Sequence, residues 1–357
     1  MTGPGDTVVE LWERAVVEPP CEPAFLVAAD GAWREVSWAD AGAAVDELAA
    51  GFLAFGVARG DRVALLSRTR LEWTLCDWAL ISIGAVVVPI YPTSSSVECA
   101  YIVGNSGASL IVCEDAGQAE KVEPMRRDLE GLERVVVIDD PGDSPWTTLA
   151  VVRERGRELL GERPEAVAEA RAAISTDDVL TIVYTSGTTG PPKGCVLSHG
   201  NYRSMVESVC AIEGLAYPGD RTVLYLPLAH TFARLIEFLA PRIGVTIAFC
   251  PEVTGVAAAL RDVRPTIFPS VPKLFERMQG AVQTSAAEMS GARGALLRWA
   301  LAVGLRASGY RQAGRRLPLG LAVQRALADR LALAKVRDRL GGRLRVAISG
   351  GAPLSKE

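Results

Sequence analysis

Short apolar runs rich in β-branched residues recur along the chain, separated by segments of helical periodicity. This alternation restricts the fold more than any other feature. The runs are Arg62-Val63-Ala64-Leu65-Leu66, Val86-Val87-Val88, Leu110-Ile111-Val112-Cys113, Val135-Val136-Val137-Ile138 and Val179-Leu180-Thr181-Ile182-Val183-Tyr184. Runs this short and continuously apolar suit parallel strands covered on both faces by helices. Between them, Ser37 is placed to cap a helix whose Ala41, Val45, Leu48 and Phe52 share one face. Further helices are predicted from about Leu71, over 97–103 and over 118–129. The fold class is therefore α/β, with doubly wound, parallel-rich sheets and flanking helices. A loop at Asp140-Pro141-Gly142-Asp143-Ser144-Pro145 and a charged helical segment over 150–172 suggest lobes of 1–175 and 176–357. Residues 280–342 are nearly all helix formers and read as a helical excursion from the sheet.

Composition narrows the class. Of the 357 residues 49% are hydrophobic, which excludes disorder, and no solenoid or propeller period is present. A mean hydropathy of +0.20 prompts a search for a membrane span. The longest apolar run, 78–91, is broken by Ser82, Gly84 and Pro89, and falls short of the roughly 20 residues a span needs. Nothing near Met1 resembles a signal peptide. The seven cysteines are scattered without a C-x-x-C, so reduced thiols and a cytoplasmic location are expected. With His199 and His230 the only histidines, any metal is expected on oxygen ligands.

Charge is unevenly distributed. The chain carries −4 overall, which argues against a dedicated nucleic-acid binder, yet residues 291–345 hold thirteen Arg and Lys against Asp329 and Asp338 alone. That segment admits two readings. The favoured one is a solvated helix face; the other is a surface meeting anionic headgroups at the inner face of a membrane, or a phosphorylated cosubstrate.

The most informative stretch follows the run at 179–184. Thr185-Ser186-Gly187-Thr188-Thr189-Gly190-Pro191-Pro192-Lys193-Gly194 packs glycines, hydroxyls and one lysine into a single loop. Glycines let backbone N–H groups approach a phosphate, hydroxyls add hydrogen bonds, and Lys193 supplies a point charge. A loop at the carboxyl end of a strand lies where open α/β sheets bind ligands. It is not a Walker A loop, because G-x-x-x-x-G-K-[ST] is absent from it. Two other segments also follow expected strands: Leu226-Pro227-Leu228-Ala229-His230 and Ser349-Gly350-Gly351-Ala352-Pro353. The loops are expected to converge on one cleft, with the second turn leaving room for a flat group such as a purine. His230 is equally consistent with a structural role.

The 185–194 loop resembles the signature of the adenylate-forming, or AMP-binding, superfamily. Val88-Pro89-Ile90-Tyr91-Pro92-Thr93, Leu226-Pro227-Leu228-Ala229-His230, Pro269-Ser270-Val271-Pro272-Lys273-Leu274-Phe275-Glu276 and Ser349-Gly350-Gly351-Ala352-Pro353-Leu354 are similar to its long-chain fatty acyl-CoA ligase branch. The resemblance implies a reaction in which a fatty carboxylate attacks the α-phosphorus of Mg-ATP, and the thiol of coenzyme A then displaces AMP. It assigns Thr185, Ser186, Gly187, Thr188, Thr189, Gly190 and Lys193 to the β,γ-phosphates, with the Thr185 hydroxyl on Mg2+. His230 falls at the acyl and active-site cavity as the candidate catalytic residue, and Ser349, Gly350, Gly351, Ala352 and Pro353 against the adenine. Fatty acid, ATP and coenzyme A are the implied partners. In the family a Mg2+-binding Glu, a ribose-binding acid, a hinge and a closing domain with a catalytic lysine follow the adenine-side turn; Leu354-Ser355-Lys356-Glu357 supplies none of them. Residues 1–357 are thus expected to be an N-terminal AMP-binding domain, incomplete at its C-terminal end, from a ligase with impaired catalysis. The alternatives are a non-catalytic nucleotide- or acyl-binding module and an acyl-AMP ligase that loads a carrier protein. Acyl length and oligomeric state are not legible.

Overall fold

Val86–Ile90 is buried at all five positions, and Arg62–Leu66 at all but its first, as strands inside a covered parallel sheet should be. The computed structural model describes residues 7–129, 131–140, 142, 145–185 and 190–353. In chain order the strands are β1 (Phe25–Ala29), β2 (Ala32–Val36), β3 (Arg62–Leu66), β4 (Val86–Ile90), β5 (Leu110–Asp115), β6 (Arg134–Asp139) and β7 (Thr147–Thr148). They continue with β8 (Val179–Thr185), β9 (Lys193–Ser198), β10 (Arg221–Leu224), β11 (Thr246–Phe249), β12 (Ile267–Ser270) and β13 (Val346–Ser349). The chain divides into a first unit, 1–220 with 224–253, and a second unit, 221–223 with 254–357.

The largest sheet of the first unit runs β7-β6-β5-β3-β4-β8-β9. Its neighbours are parallel except β8 and β9, which form an antiparallel pair. A second sheet has the order β10-β11-β1-β2, with β1 parallel to β11 and antiparallel to β2. The mixed α/β, parallel-rich architecture expected from the alternating pattern is present. One core lies on a face of the large sheet, where Ile111, Cys113, Val135 and Val137 meet Ile102, Val103 and Val122. A second is aromatic. Trp12 stacks on Trp78 at 4.8 Å, and Trp78 meets Phe238 edge-on at 5.1 Å. That contact fixes the helix Thr231–Ile243, whose N-cap is His230.

Ser37 caps the helix Trp38–Ala54 by accepting from the Asp40 N–H, and Ala41, Val45, Leu48 and Phe52 are its buried stripe, as their spacing predicts. Three expectations are corrected. The helix expected over 118–129 is instead a single turn at Ala116–Ala119 followed by a 3-10 helix at Glu123–Asp128, because Pro124 has no N–H to continue an α-helical ladder. The segment 150–172 is two helices, Leu149–Glu162 and Ala166–Ala172, interrupted around Pro164. The boundary expected at 175/176 falls within the first unit, because β8 returns to pair in parallel with β4.

In the second unit, β12 and β13 form a parallel pair. The helices Pro272–Glu288, Gly291–Gln312, Leu319–Ala328 and Ala334–Asp338 lie between them in sequence, with a π-helical turn at Asp329–Leu333. Among the described residues, no helix is long and apolar enough to cross a membrane.

Candidate active site

Open parallel sheets bind ligands at the carboxyl ends of strands, often where the strand order reverses. Here β4 and β5 flank β3, so the reversal lies at β3. Ion pairs fill that end of the sheet. The Arg68 backbone N–H and guanidinium donate to the buried Glu114 at 2.8 and 2.7 Å, and Arg70 donates to Glu72 and Asp139. The open space is one strand further along, at the ends of β4 and β8. A cavity of about 370 Å³ is lined there by Tyr91, Val183, Tyr184, Thr185, His230 and Thr231.

Thr185 is the exposed last residue of β8, and its antiparallel register partner is Lys193, the first residue of β9. The two strands therefore hold the mouth of the signature loop. Ser186, Gly187, Thr188 and Thr189 lie outside the described residues. Gly190 has φ +92°, a conformation that disfavours any residue with a Cβ. Gly194 meets a different constraint: a Cβ there would lie 2.7 Å from Ile182 Cγ2 and 3.2 Å from Tyr184 Cζ. Its hydrogen lets β9 pass close to β8. Tyr184 is held in turn by donating its hydroxyl to Asn105 Oδ1 at 2.6 Å.

His230 reaches the cavity from a pinned segment. Leu226, Leu228 and Ala229 are buried, and the Thr69 hydroxyl donates to the Leu226 carbonyl at 2.7 Å. One turn on, Arg234 donates to both oxygens of Asp77 at 2.6 to 3.0 Å, with both side chains fully buried. His230 Nδ1 accepts the Phe232 N–H at 3.1 Å, and burial pushes the imidazole pKa below its ordinary value. The neutral ring then carries its proton on Nε2, which makes it a hydrogen-bond donor at physiological pH. Thr231 is the first residue of the helix, so the positive end of a helix dipole meets the same cavity.

The lining supplies hydroxyls, an imidazole N–H and a helix N-terminus, and no carboxylate. That set suits phosphate or carboxylate oxygens. Among the described residues there is no group of three or more His, Cys, Asp or Glu able to hold a metal. The structure thus brings Thr185 and His230 to one cavity, with Lys193 across the hairpin from Thr185. Tyr91 and Thr231 belong to the same lining; Tyr91 lies in the 88–93 motif of the sequence without an assigned role, and the signal for Thr231 is its place at a helix start.

In the second unit, 349–353 continue from the end of β13. The Gly350 N–H donates to the Ser270 carbonyl at 3.0 Å, Gly351 takes φ +79°, and Ala352 and Pro353 are exposed. This is the nearly side-chain-free turn expected from the sequence.

The chain matches the family of AMP-binding enzymes over residues 12–357. It is 34% identical over 327 residues to the long-chain-fatty-acid–CoA ligase FadD15 of Mycobacterium bovis, covering 91% of this chain and 53% of the relative. To the peroxisomal long chain acyl-CoA synthetase 7 of Arabidopsis thaliana it is 29% identical, covering 96% and 48%. The chain spans about half the length of these curated relatives. Among solved structures it is similar to the N-terminal domain of FACL13 from Mycobacterium tuberculosis, with TM-score 0.62 at 26% identity over 77% of this chain and 65% of that one. A fold likeness alone links it to FadD1 of Archaeoglobus fulgidus, with TM-score 0.67 at 21% identity, covering 80% and 56%. With the family match running through nearly the whole chain, and a mycobacterial relative above 30% identity, the chain belongs to the AMP-binding enzymes.

Proposed function

We propose that this chain provides the nucleotide and acyl-carboxylate site of a long-chain fatty acid–CoA ligase. The observation that carries the reading is the cavity shared by Thr185 and His230 at the carboxyl ends of β4 and β8, in a chain whose relatives are ligases of this kind. In the first step a carboxylate oxygen of the fatty acid attacks the α-phosphorus of ATP. The bond to pyrophosphate breaks and acyl-AMP forms. In the second, the sulfur of coenzyme A attacks the acyl carbon, AMP departs, and the thiol gives up its proton.

The residues' part is positioning and charge neutralisation, which dominate phosphoryl-type chemistry. Thr185, the loop through Gly190 and Lys193 would hold the β,γ-phosphates. The neutral His230 would donate through Nε2 to an oxygen of the reacting carboxylate or α-phosphate. The turn at 349–353 would carry the adenine. The Thr185 hydroxyl would be the residue to hold Mg2+, which when bound would supply positive charge to the phosphates.

The test is ATP titration by calorimetry together with fatty-acid-dependent exchange of labelled pyrophosphate into ATP. Thr185→Val should weaken ATP binding about tenfold, the cost of one lost hydrogen bond to a charged group, and His230→Ala should lower exchange more than it lowers binding. A chain that fails to bind ATP in a saturable way would remove the reading.

A further inference from the structure

The second unit contains a cavity that the proposed reaction leaves unused. It measures about 520 Å³ and lies among the helices Pro272–Glu288, Gly291–Gln312 and Ala334–Asp338. That volume falls within the range of roughly 300–1,000 Å³ usual for small-molecule sites. Its walls are mostly apolar, with Leu296, Leu297, Leu331 and Val336 prominent. Its charged lining is Arg293, Lys335 and Arg339, and no acidic residue lines it.

Two independent observations indicate a built site. The first concerns charge. The side chains of Arg293, Lys335 and Arg339 are exposed and engage no acidic or carbonyl partner among the described residues, whereas Arg337, on the same helix as Lys335, pairs with Asp329. Three cations without an ion-pair partner around one apolar cavity are complementary in charge to an anionic group seated there. The second concerns the backbone. Leu331 and Ala332 reach the wall from the π-helical turn Asp329–Leu333, a rare geometry that is frequent at functional sites. Leu331 and Met289 remain 48% and 39% exposed beside the cations.

We propose that this cavity binds a monomeric, single-chain anionic amphiphile of the fatty carboxylate class. The apolar tail lies between Leu296, Leu297, Leu331 and Val336, and the acidic head meets Arg293, Lys335 and Arg339. A cavity of this volume encloses one chain with its head among the cations, a geometry that a bilayer met through projecting residues such as Leu305 and Leu319 does not require. The cavity therefore favours a monomer taken from solution. It is a holding site on other elements than those bearing Thr185 and His230, and it stands or falls separately from the proposed ligase reaction.

The probe is dodecanoate with a diazirine near its methyl end, used as a monomer with the full chain. After irradiation and digestion, the labelled peptides are identified by mass spectrometry. Label is expected in 282–297 and 331–339. It should fall about tenfold or more in the triple variant R293Q/K335Q/R339Q, which alters only exposed side chains, because charge-assisted contacts to the head are lost. Ser285→Phe, which fills the cavity from its wall, should reduce it similarly, and the matching diazirine dodecanol should label weakly. Circular dichroism melts would verify that both variants fold. Three results would overturn the proposal: no label in these segments; equal labelling by dodecanol and of the triple variant; or label that appears only when the chain is bound to phosphatidylglycerol vesicles, which would make the region a bilayer contact. Peptides containing Tyr91, Thr185 and His230 in the same digest report on the first unit's cavity, so failure of one site is distinguishable from failure of the other.

Discussion

His199 is fully buried, and neither ring nitrogen has a hydrogen-bond partner among the described residues. Burial pushes its pKa down to about 4; the nearby Asp178 opposes that shift and Arg234 reinforces it. The folded value lies below the unfolded one of about 6.5, so the contribution to stability is complete above that pH and is lost as pH falls toward 4. Integrated over the window it amounts to about 3 kcal/mol. Glu237 has the opposite sign: burial beside Asp77 raises its pKa well above the carboxylate range, so its contribution declines as pH rises. The diagnostic quantity is therefore a difference between proteins. Urea melts at pH 7 and pH 4.5 should show a markedly smaller acid-induced loss in His199→Leu than in the wild type; equal losses would reject the assignment. Nothing local in the sequence marks His199, Asp77 or Arg234 as one cluster. Arg234 reads as one more arginine on an amphipathic helix, and its partner is 157 residues away. Thr185 and Lys193 were legible because their chemistry is concentrated in one short loop.

Strands buried on both faces announce themselves by composition, and β3, β4, β5, β6 and β8 all coincide with the apolar runs. The edge strand β9 does not, because its residues are exposed or half-buried and include Lys193, Gly194 and Ser198. Without it the signature loop reads as a free turn, and Gly194 as one more phosphate-facing glycine. The antiparallel pairing gives Gly194 another reason to be there. A methyl group at 194 must displace Ile182 or Tyr184, and overpacking of this kind costs about 1–3 kcal/mol. Gly194→Ala should lower the denaturation midpoint accordingly. It should also weaken ATP binding, because the displaced β9 would shift the Thr185–Lys193 register at the loop's mouth. Cys195→Ala, on the neighbouring exposed position, should stay within about 0.5 kcal/mol of wild type. If the two variants melt and bind alike, β9 does not approach β8 as described.

The two units differ in how their interiors are built, and this could not be read from linker composition. The sequence offers a loop near 140 as the natural break, yet the chain returns to the large sheet when Thr181 donates to the Val87 carbonyl, 94 residues away. Pairing over that separation leaves no local signature. In the first unit the sheet core is made mainly of Ile, Leu, Val, Cys and Tyr side chains drawn from several strands and helices, with Ala64, Ala108 and Ala119 among them. In the helical part of the second unit, the buried cluster is Ala300, Val303, Leu321, Ala328 and Ala332, so most of its members bury no more than a methyl group. Leu305 and Leu319 stay 77% and 87% exposed on the same helices. Burial stabilises at roughly 25 cal/mol per Å² of apolar surface, and helices of this length owe most of their stability to packing. The amides of 291–328 should therefore exchange through openings of lower free energy than those of β5 and β6. Hydrogen exchange followed by mass spectrometry would read this directly, and slower exchange in 291–328 than in β5 would contradict it. The same experiment bears on the apolar cavity. A ligand that binds only the closed helices stabilises them by mass action, so dodecanoate should slow exchange in 282–297 and 331–339 while leaving β5 and β6 unchanged. Uniform slowing across both units would mean that the amphiphile acts on the whole chain, and the helical cavity would lose its claim to a ligand of its own.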